Sequence, residues 1–274
     1  MKQNMTMPFQ NRTAAEDGVP EEDARSLRVL AVLSSLARAQ QPQTLSQLSQ
    51  RLHVPKATLM RLLAAMERSG FVVRMPAERG YVPGPAAAVL SLQTLRSPPL
   101  LRECRGILAR LVARLGETCN LTALDGDRVL YVERVETHEP LRLQLSPGIH
   151  VPLHCTASGK LFLSAMNRLE RQQTLRRLDL AVHTPRTLAD LPRLNTELDR
   201  LAARGIGIDH EEFVRGMCAV AVPVREPDGA GSGRVVAAIA CHAPTARASL
   251  EALLQAVATL QGAAKEMAAV LCVQ

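Results

Sequence analysis

A chain of 274 residues, 47% hydrophobic but only 2% aromatic and without Trp, is long enough for two domains with cores of Leu, Val, Ile, Ala and Met. No window approaches ~18 uncharged apolar residues, and the opening MKQNMTMPFQNRT lacks the apolar core of a signal peptide; neither a membrane span nor secretion is expected, and the expected compartment is the cytoplasm. The net charge of +7 is unevenly placed, because residues 24–83 set nine basic side chains against only Glu67 and Glu78, an electrostatic footprint for a polyanion.

Residues 1–22 are polar, acidic and aperiodic and read as a disordered tail. ARSLRVLAVLSSLARA (24–39) has the wide apolar face of a helix and ends at QQPQ. Thr44 opens a capping box, T-x-x-Q, with Gln47 placed to reach back. Leu45, Leu48 and Leu52 give the second helix its buried stripe. His53 and Val54 form a turn, and Pro55 suits the first turn of a third helix. There Leu59, Leu62, Leu63 and Met66 follow i, i+3, i+4, i+7 spacing. The outer face carries Ala57, Met60, Arg61, Ala64 and Arg68, with Lys56 at the tip and Gly70 at the end. FVVRMPAERGYVPG alternates and turns through Pro76–Gly80 as a β-hairpin. Three helices and a hairpin make a winged helix-turn-helix over 23–83.

The stretch 84–99 reads as a linker, with AAAVLSLQTL a short helix before the breaker SPP at 97–99. A second domain, 100–274, opens with a helix near 100–115. TCNLTALDGDRVLYVERVE gives two strands around a D-G-D turn, LRLQL (141–145) a further strand, and PGIHVPLHCTASGKLFLSAM a loop running into a helix. Helices are expected near 168–178 and 190–204, and strands near 206–210, 217–225 and 234–242, the last pair joined by EPDGAGSG. A long Ala/Leu-rich helix from about 245 closes the chain. The fold class is α+β, with helices packed on a mixed or antiparallel sheet.

Paired helices of the 44–70 kind also occur in ordinary α-bundles. A short apolar connection, a basic and lightly built outer face and a basic hairpin favour DNA instead. Small Ala57 and Ala64 leave room for Arg61 beside a groove. The expected DNA contacts are Thr44, Lys56, Ala57, Thr58, Met60, Arg61 and Arg79. In HCTASGKLFL, Gly159-Lys160 invites a phosphate-loop reading and fails it twice: His154 stands at the first Gly position, and Leu161 follows the Lys. His154 and Cys155, adjacent on an extended segment, would point to opposite faces, so no catalytic dyad is expected. Free amides at Ala157, Ser158 and Gly159, at a loop-to-helix junction, suit a small anion such as a carboxylate. Six scattered cysteines form no C-x-x-C pair, which argues against a zinc ribbon or redox motif; no metal or cofactor is expected. GIGIDHEEFVRGMCAVAVPV (205–224) by itself reads as a solvated acidic turn joining core strands.

Taken together, LSQRLHVPKATLMRLLAAMERSGFV, PLHCTASGKLFLS and RGIGIDHEEFVRGMCAVAVPV, in that order and spacing, resemble the IclR family of bacterial transcriptional regulators from about residue 24 to 270. The resemblance implies a winged helix-turn-helix, a linker helix and a GAF-like effector domain, with dimers associating into tetramers. It implies a small organic or aromatic acid as effector, held by Ala157, Ser158, Asp209, Ala219, Ala240 and His242. Some relatives offer a thiol or hydroxyls where this chain has Ala219, Ala240 and His242. His242 could therefore pair with a ligand carboxylate or serve as a plain pocket wall. The expectation is a ligand-responsive regulator with a double-stranded DNA operator, a small carboxylate effector and no membrane partner. The apolar first helix and the linker at 85–95 point to a homodimer, and the resemblance to a homotetramer. An enzyme or sensor domain on a DNA tether, and an architectural DNA-binding protein with a vestigial effector domain, are the alternatives.

Overall fold

The computed structural model describes residues 21–39, 41–76, 79–95, 97–227 and 233–272. The expected tail falls outside them, apart from Glu21 and Glu22, which belong to a helix. Two compact units result, Met1–Ala87 and Ala88–Gln274.

The first unit comprises α1 (Glu21–Arg38), α2 (Leu45–Leu52), α3 (Lys56–Arg68), β1 (Val72–Met75) and β2 (Gly80–Pro83). Helix α1 begins three residues before the apolar run that predicts it. The capping box forms in full: Thr44 Oγ1 accepts from the Gln47 amide, and Gln47 Oε1 accepts from the Thr44 amide at 2.8 Å. His53 ends α2 in the left-handed region at φ 52°, and Ser49 Oγ donates to Val54 O at 2.8 Å, which pins the turn. Pro55 is the residue just before α3, one position earlier than expected. Val32, Leu36, Leu48, Leu59, Leu63 and Val72 form the core, each side chain contributing roughly 1.5–3 kcal/mol of burial. Leu62 is only half-buried. Gly70, at φ 72°, takes the chain from α3 into β1 where a side chain would be strained.

Helix α4 (Pro85–Leu95) contains the division between the units. In the second unit SPP starts a helix where a break is expected: Ser97 precedes α5 (Pro98–Leu115), whose first turn accepts proline because its amides have no helical acceptor. The sheet is antiparallel throughout, in the order β5 (His150–Pro152), β4 (Arg128–Val135), β3 (Thr118–Asp125), β8 (Val235–Pro244), β7 (Met217–Arg225), β6 (Gly207–His210). One face is covered by α5, α9 (Leu250–Gln255) and α10 (Val257–Leu271), with Leu108, Leu260 and Met267 set on Leu121, Val220 and Ile239. The opposite face receives α6 (Ala157–Ala165), α7 (Arg168–Leu175) and α8 (Leu191–Arg204) through Leu161, Phe162, Leu175, Leu194 and Leu198.

Three expectations need correction. No strand forms over 141–145; the carbonyls that would have entered a ladder go to arginines, Leu141 O to Arg247 Nη1 at 2.8 Å and Leu143 O to Arg134 Nη2. The sheet instead gains β5 at its edge, from the segment expected to be loop. The closing helix is two, α9 and α10, interrupted at Ala256. In the β7–β8 connection, residues 228–232 of EPDGAGSG lie outside the described residues. Among those described, no helix is long and apolar enough to cross a membrane.

Candidate functional site

Helix α3 turns Leu59, Leu63 and Met66 inward, which leaves Lys56, Ala57, Met60, Arg61 and Ala64 exposed on the opposite face. Met60 is 58% exposed, a large apolar side chain that nothing in its own unit covers. Thr58 is half-buried, and the Thr44 hydroxyl is engaged in the cap. Arg79 is exposed at the hairpin turn in the left-handed region, φ 51°; Ala77 and Glu78 lie outside the described residues.

In the second unit Ala157, Ser158, Asp209, Ala219, Ala240 and His242 all line one cavity, joined by Asn120, Tyr131, Leu143 and Phe213 among others. Sheet register explains the convergence. Asp209 pairs with Ala219 and Ala219 with His242, a single row across β6, β7 and β8. Ala240 lies two residues from His242 and so on the same face, opposite Asn120 of β3. Helix α6 supplies the other wall, and Gly207 permits its approach: a Cβ there would run into the Ala157 carbonyl.

Asn120, Tyr131 and Arg134 belong to none of the expected motifs. The missing signal is a β-bulge. Leu121 pairs with Glu133 and Thr122 with Tyr131, so Val132 is an extra residue on β4. Simple alternation would send Tyr131 and Arg134 to opposite faces; the bulge puts them on the same one. The Arg134 guanidinium, buried to 2%, donates to Asn120 Oδ1 at 3.2 Å and to Glu136 Oε1 at 3.1 Å. That contact orients the Asn120 amide, whose Nδ2 then donates to His242 Nδ1 at 3.1 Å. Arg134 Nη2, which can only donate, lies 3.4 Å from His242 Nε2, so the Asn120 amide and the guanidinium compete for the single acceptor nitrogen of the neutral ring. Burial, with Arg134 adding to it, pushes its pKa down to about 3. The local positive charge beside this neutral ring is Arg134.

Asp209 behaves oppositely. Burial pushes its carboxyl up to about 7, against the opposing pull of the Glu212 amide. Its Oδ1 accepts from the Glu212 and Phe213 amides at 2.7 and 3.4 Å. The Lys160 of the Gly-Lys pair is fully buried and ion-paired to Glu212, with Glu197 at 3.8 Å, so it is structural and unavailable to a phosphate. At the start of α6 the Gly159 amide is not free as expected, because Thr156 Oγ1 accepts from it at 3.2 Å. The Ala157 and Ser158 amides have no such partner among the described residues. The cavity's free volume is about 30 Å³, room for roughly one or two waters, so an organic acid enters only as wall side chains such as Leu143 or Phe213 move.

His154 and Cys155 also depart from expectation. Residues 153–155 form a turn in place of an extended segment, so alternation does not separate the two side chains. Each lies within 4.8 Å of the other, and of His183, measured between ligating atoms.

Comparison with known proteins agrees with this architecture. The family model "Bacterial transcriptional regulator IclR C-terminal" matches residues 92–269, and "IclR helix-turn-helix domain" matches 27–76. The chain is 38% identical over 250 residues to "Probable transcriptional regulator SauR" of Cupriavidus necator, covering 91% of this chain and 98% of that one. Among solved structures, Thermotoga maritima IclR shares the fold with a TM-score of 0.59 at 24% identity, over 91% of this chain and 99% of that one. The inducer-binding domain of PobR from Acinetobacter, solved with 3-hydroxybenzoic acid, matches with a TM-score of 0.54 at 27% identity, over 61% and 97%.

Proposed function

The chain belongs to the IclR family of bacterial transcriptional regulators and is a DNA-binding regulator; on that premise we propose that 23–83 bind a double-stranded operator, 100–274 hold a small acidic effector, and 84–99 link the two. The relatives are named as regulators, not enzymes. The observation that carries the effector reading is the convergence of residues from α6, β6, β7 and β8 on one cavity. Its donors (the Ala157 and Ser158 amides) suit a carboxylate, and Asp209 suits a hydroxyl or carbonyl on the same molecule. The PobR domain's acid is of this class.

On the DNA side, Lys56, Ala57, Met60 and Arg61 face the major groove, with Thr44, Thr58 and Arg79 beside them. Replacing Arg61 by Ala costs about 1–3 kcal/mol if it reads a base, and affinity falls steeply with salt because phosphates are contacted. Exposed Leu27 and Leu30 on α1 support a homodimer on a palindromic operator; a homotetramer rests on resemblance. One set of measurements tests the whole reading. A mobility-shift assay should show the Lys56→Ala/Arg61→Ala double variant losing operator binding, and light scattering should give a dimer or larger. Filling the cavity by Ala240→Leu should abolish calorimetric binding of a hydroxybenzoate that the unaltered protein binds, while operator binding persists. Unchanged acid binding in Ala240→Leu places the effector elsewhere.

A further inference from the structure

We propose that His154, Cys155 and His183 form a binding site for a divalent cation of the zinc class, distinct from the effector cavity, which none of the three lines. Two rigid segments bring them together. The turn carrying His154 and Cys155 is clamped against α6: Thr156 Oγ1 donates to Pro152 O at 2.6 Å and accepts from the Gly159 amide. A Cβ at Gly159 would run into the Leu153 carbonyl, so the turn and the helix are in direct backbone contact. The loop carrying His183 is held to the β6–β7 connection, with Thr184 Oγ1 and Thr187 Oγ1 each donating at 2.6 Å to Glu211 O and Glu212 O. The His183 amide donates to Thr187 Oγ1 at 3.1 Å. Neither segment needs to refold for the donors to meet.

The His154 tautomer fits ligation. The Ala181 carbonyl, 3.0 Å from His154 Nε2, can only accept, so that nitrogen carries the proton and Nδ1 keeps the lone pair. A carbonyl on the non-ligating nitrogen is the usual outer support of a metal-bound imidazole. Binding forms a metal–sulfur bond as the thiol proton leaves to solvent, one proton per ion.

Metal–nitrogen and metal–sulfur bonds of about 2.0–2.3 Å at tetrahedral angles put ligating atoms roughly 3.4–3.6 Å apart. The donors here lie within 4.8 Å of one another, and exposed His183 can close the difference by side-chain rotation. A groove of about 330 Å³ walled by His154, His183 and Asp179 provides an entry path, and the fourth position falls to water. Two imidazoles and a thiolate select zinc, cobalt, nickel or copper over magnesium or calcium.

Full-length protein, reduced and stripped with chelator, should bind one Co²⁺ per chain with a near-ultraviolet thiolate-to-cobalt charge-transfer band, and Zn²⁺ should displace it. Cys155→Ser should abolish the band. His183→Ala, at an exposed position that folding does not require, should weaken binding on the order of tenfold or more and keeps the test valid if Cys155→Ser fails to fold. Absence of the band, or a band and affinity unchanged in His183→Ala, overturns the site.

Discussion

Asp209 and His242 lie in one row of the sheet, and burial moves them in opposite directions: the acid up to about 7, the imidazole down to about 3. Each shift makes stability depend on pH. Between about pH 4 and 7, unfolded chains have ionised Asp209 while the native state keeps it protonated, so this group's contribution falls as pH rises through that window. His242 acts in the reverse sense, since below its ordinary pKa of 6.5 the unfolded chain takes up a proton that the native state refuses. The two partly cancel in the wild type, and a difference measurement separates them. Asp209→Asn retains the oxygen that accepts from Glu212 and Phe213 and removes the titration. Its melting temperature relative to wild type should rise from pH 4 to 7 and then level off, the full span corresponding to about 4 kcal/mol at most. Parallel melting curves across that range would show that Asp209 ionises normally. The six cavity positions were legible through motif resemblance, but their protonation was not. Burial by α6 and the bulge at Val132 determine it, and neither leaves a local pattern in the sequence.

Elements whose signal is local could be read directly: the Thr44–Gln47 box, the α3 stripe and the Gly126 turn between β3 and β4 are short-range chemistry. Residues 141–145 show the limit. LRLQL alternates as a strand should, yet it forms no ladder, and its carbonyls go to Arg134 on the preceding strand and to Arg247 far along the chain. Arg247 also grips Glu117 with two nitrogens at 2.6 Å, so it ties this segment to the start of β3. Arg247→Met should cost about 1.5–3 kcal/mol, as expected for a charge-assisted pair. Hydrogen exchange should accelerate over 138–147 while β7 and β8 stay protected. If exchange over 138–147 is unchanged, the segment is held by its apolar contacts, Leu143 and Leu145, and not by the arginine.

At the scale of the whole chain, the order and spacing of three motifs were enough to indicate two functional units, although each motif alone has an ordinary structural explanation. Each unit has its own core: Leu48, Leu59 and Leu63 in one, and the two faces of the sheet in the other. Separate cores mean that, under the function proposed above, an effector cannot act on DNA by assembling α3, because that helix is already packed within its own unit. It can act only by favouring one arrangement of the chain over another, and the size of that preference is a coupling free energy. Such coupling is reciprocal. If a hydroxybenzoate or related acid lowers operator affinity tenfold, saturating operator must lower affinity for that acid tenfold, about 1.4 kcal/mol in each direction. Calorimetric titration of the acid into free protein and into the operator complex measures both sides of this cycle. Acid affinities that agree while operator affinity shifts would mean that the site filled in the titration is not the one coupled to DNA, and the cavity would then have no part in the response.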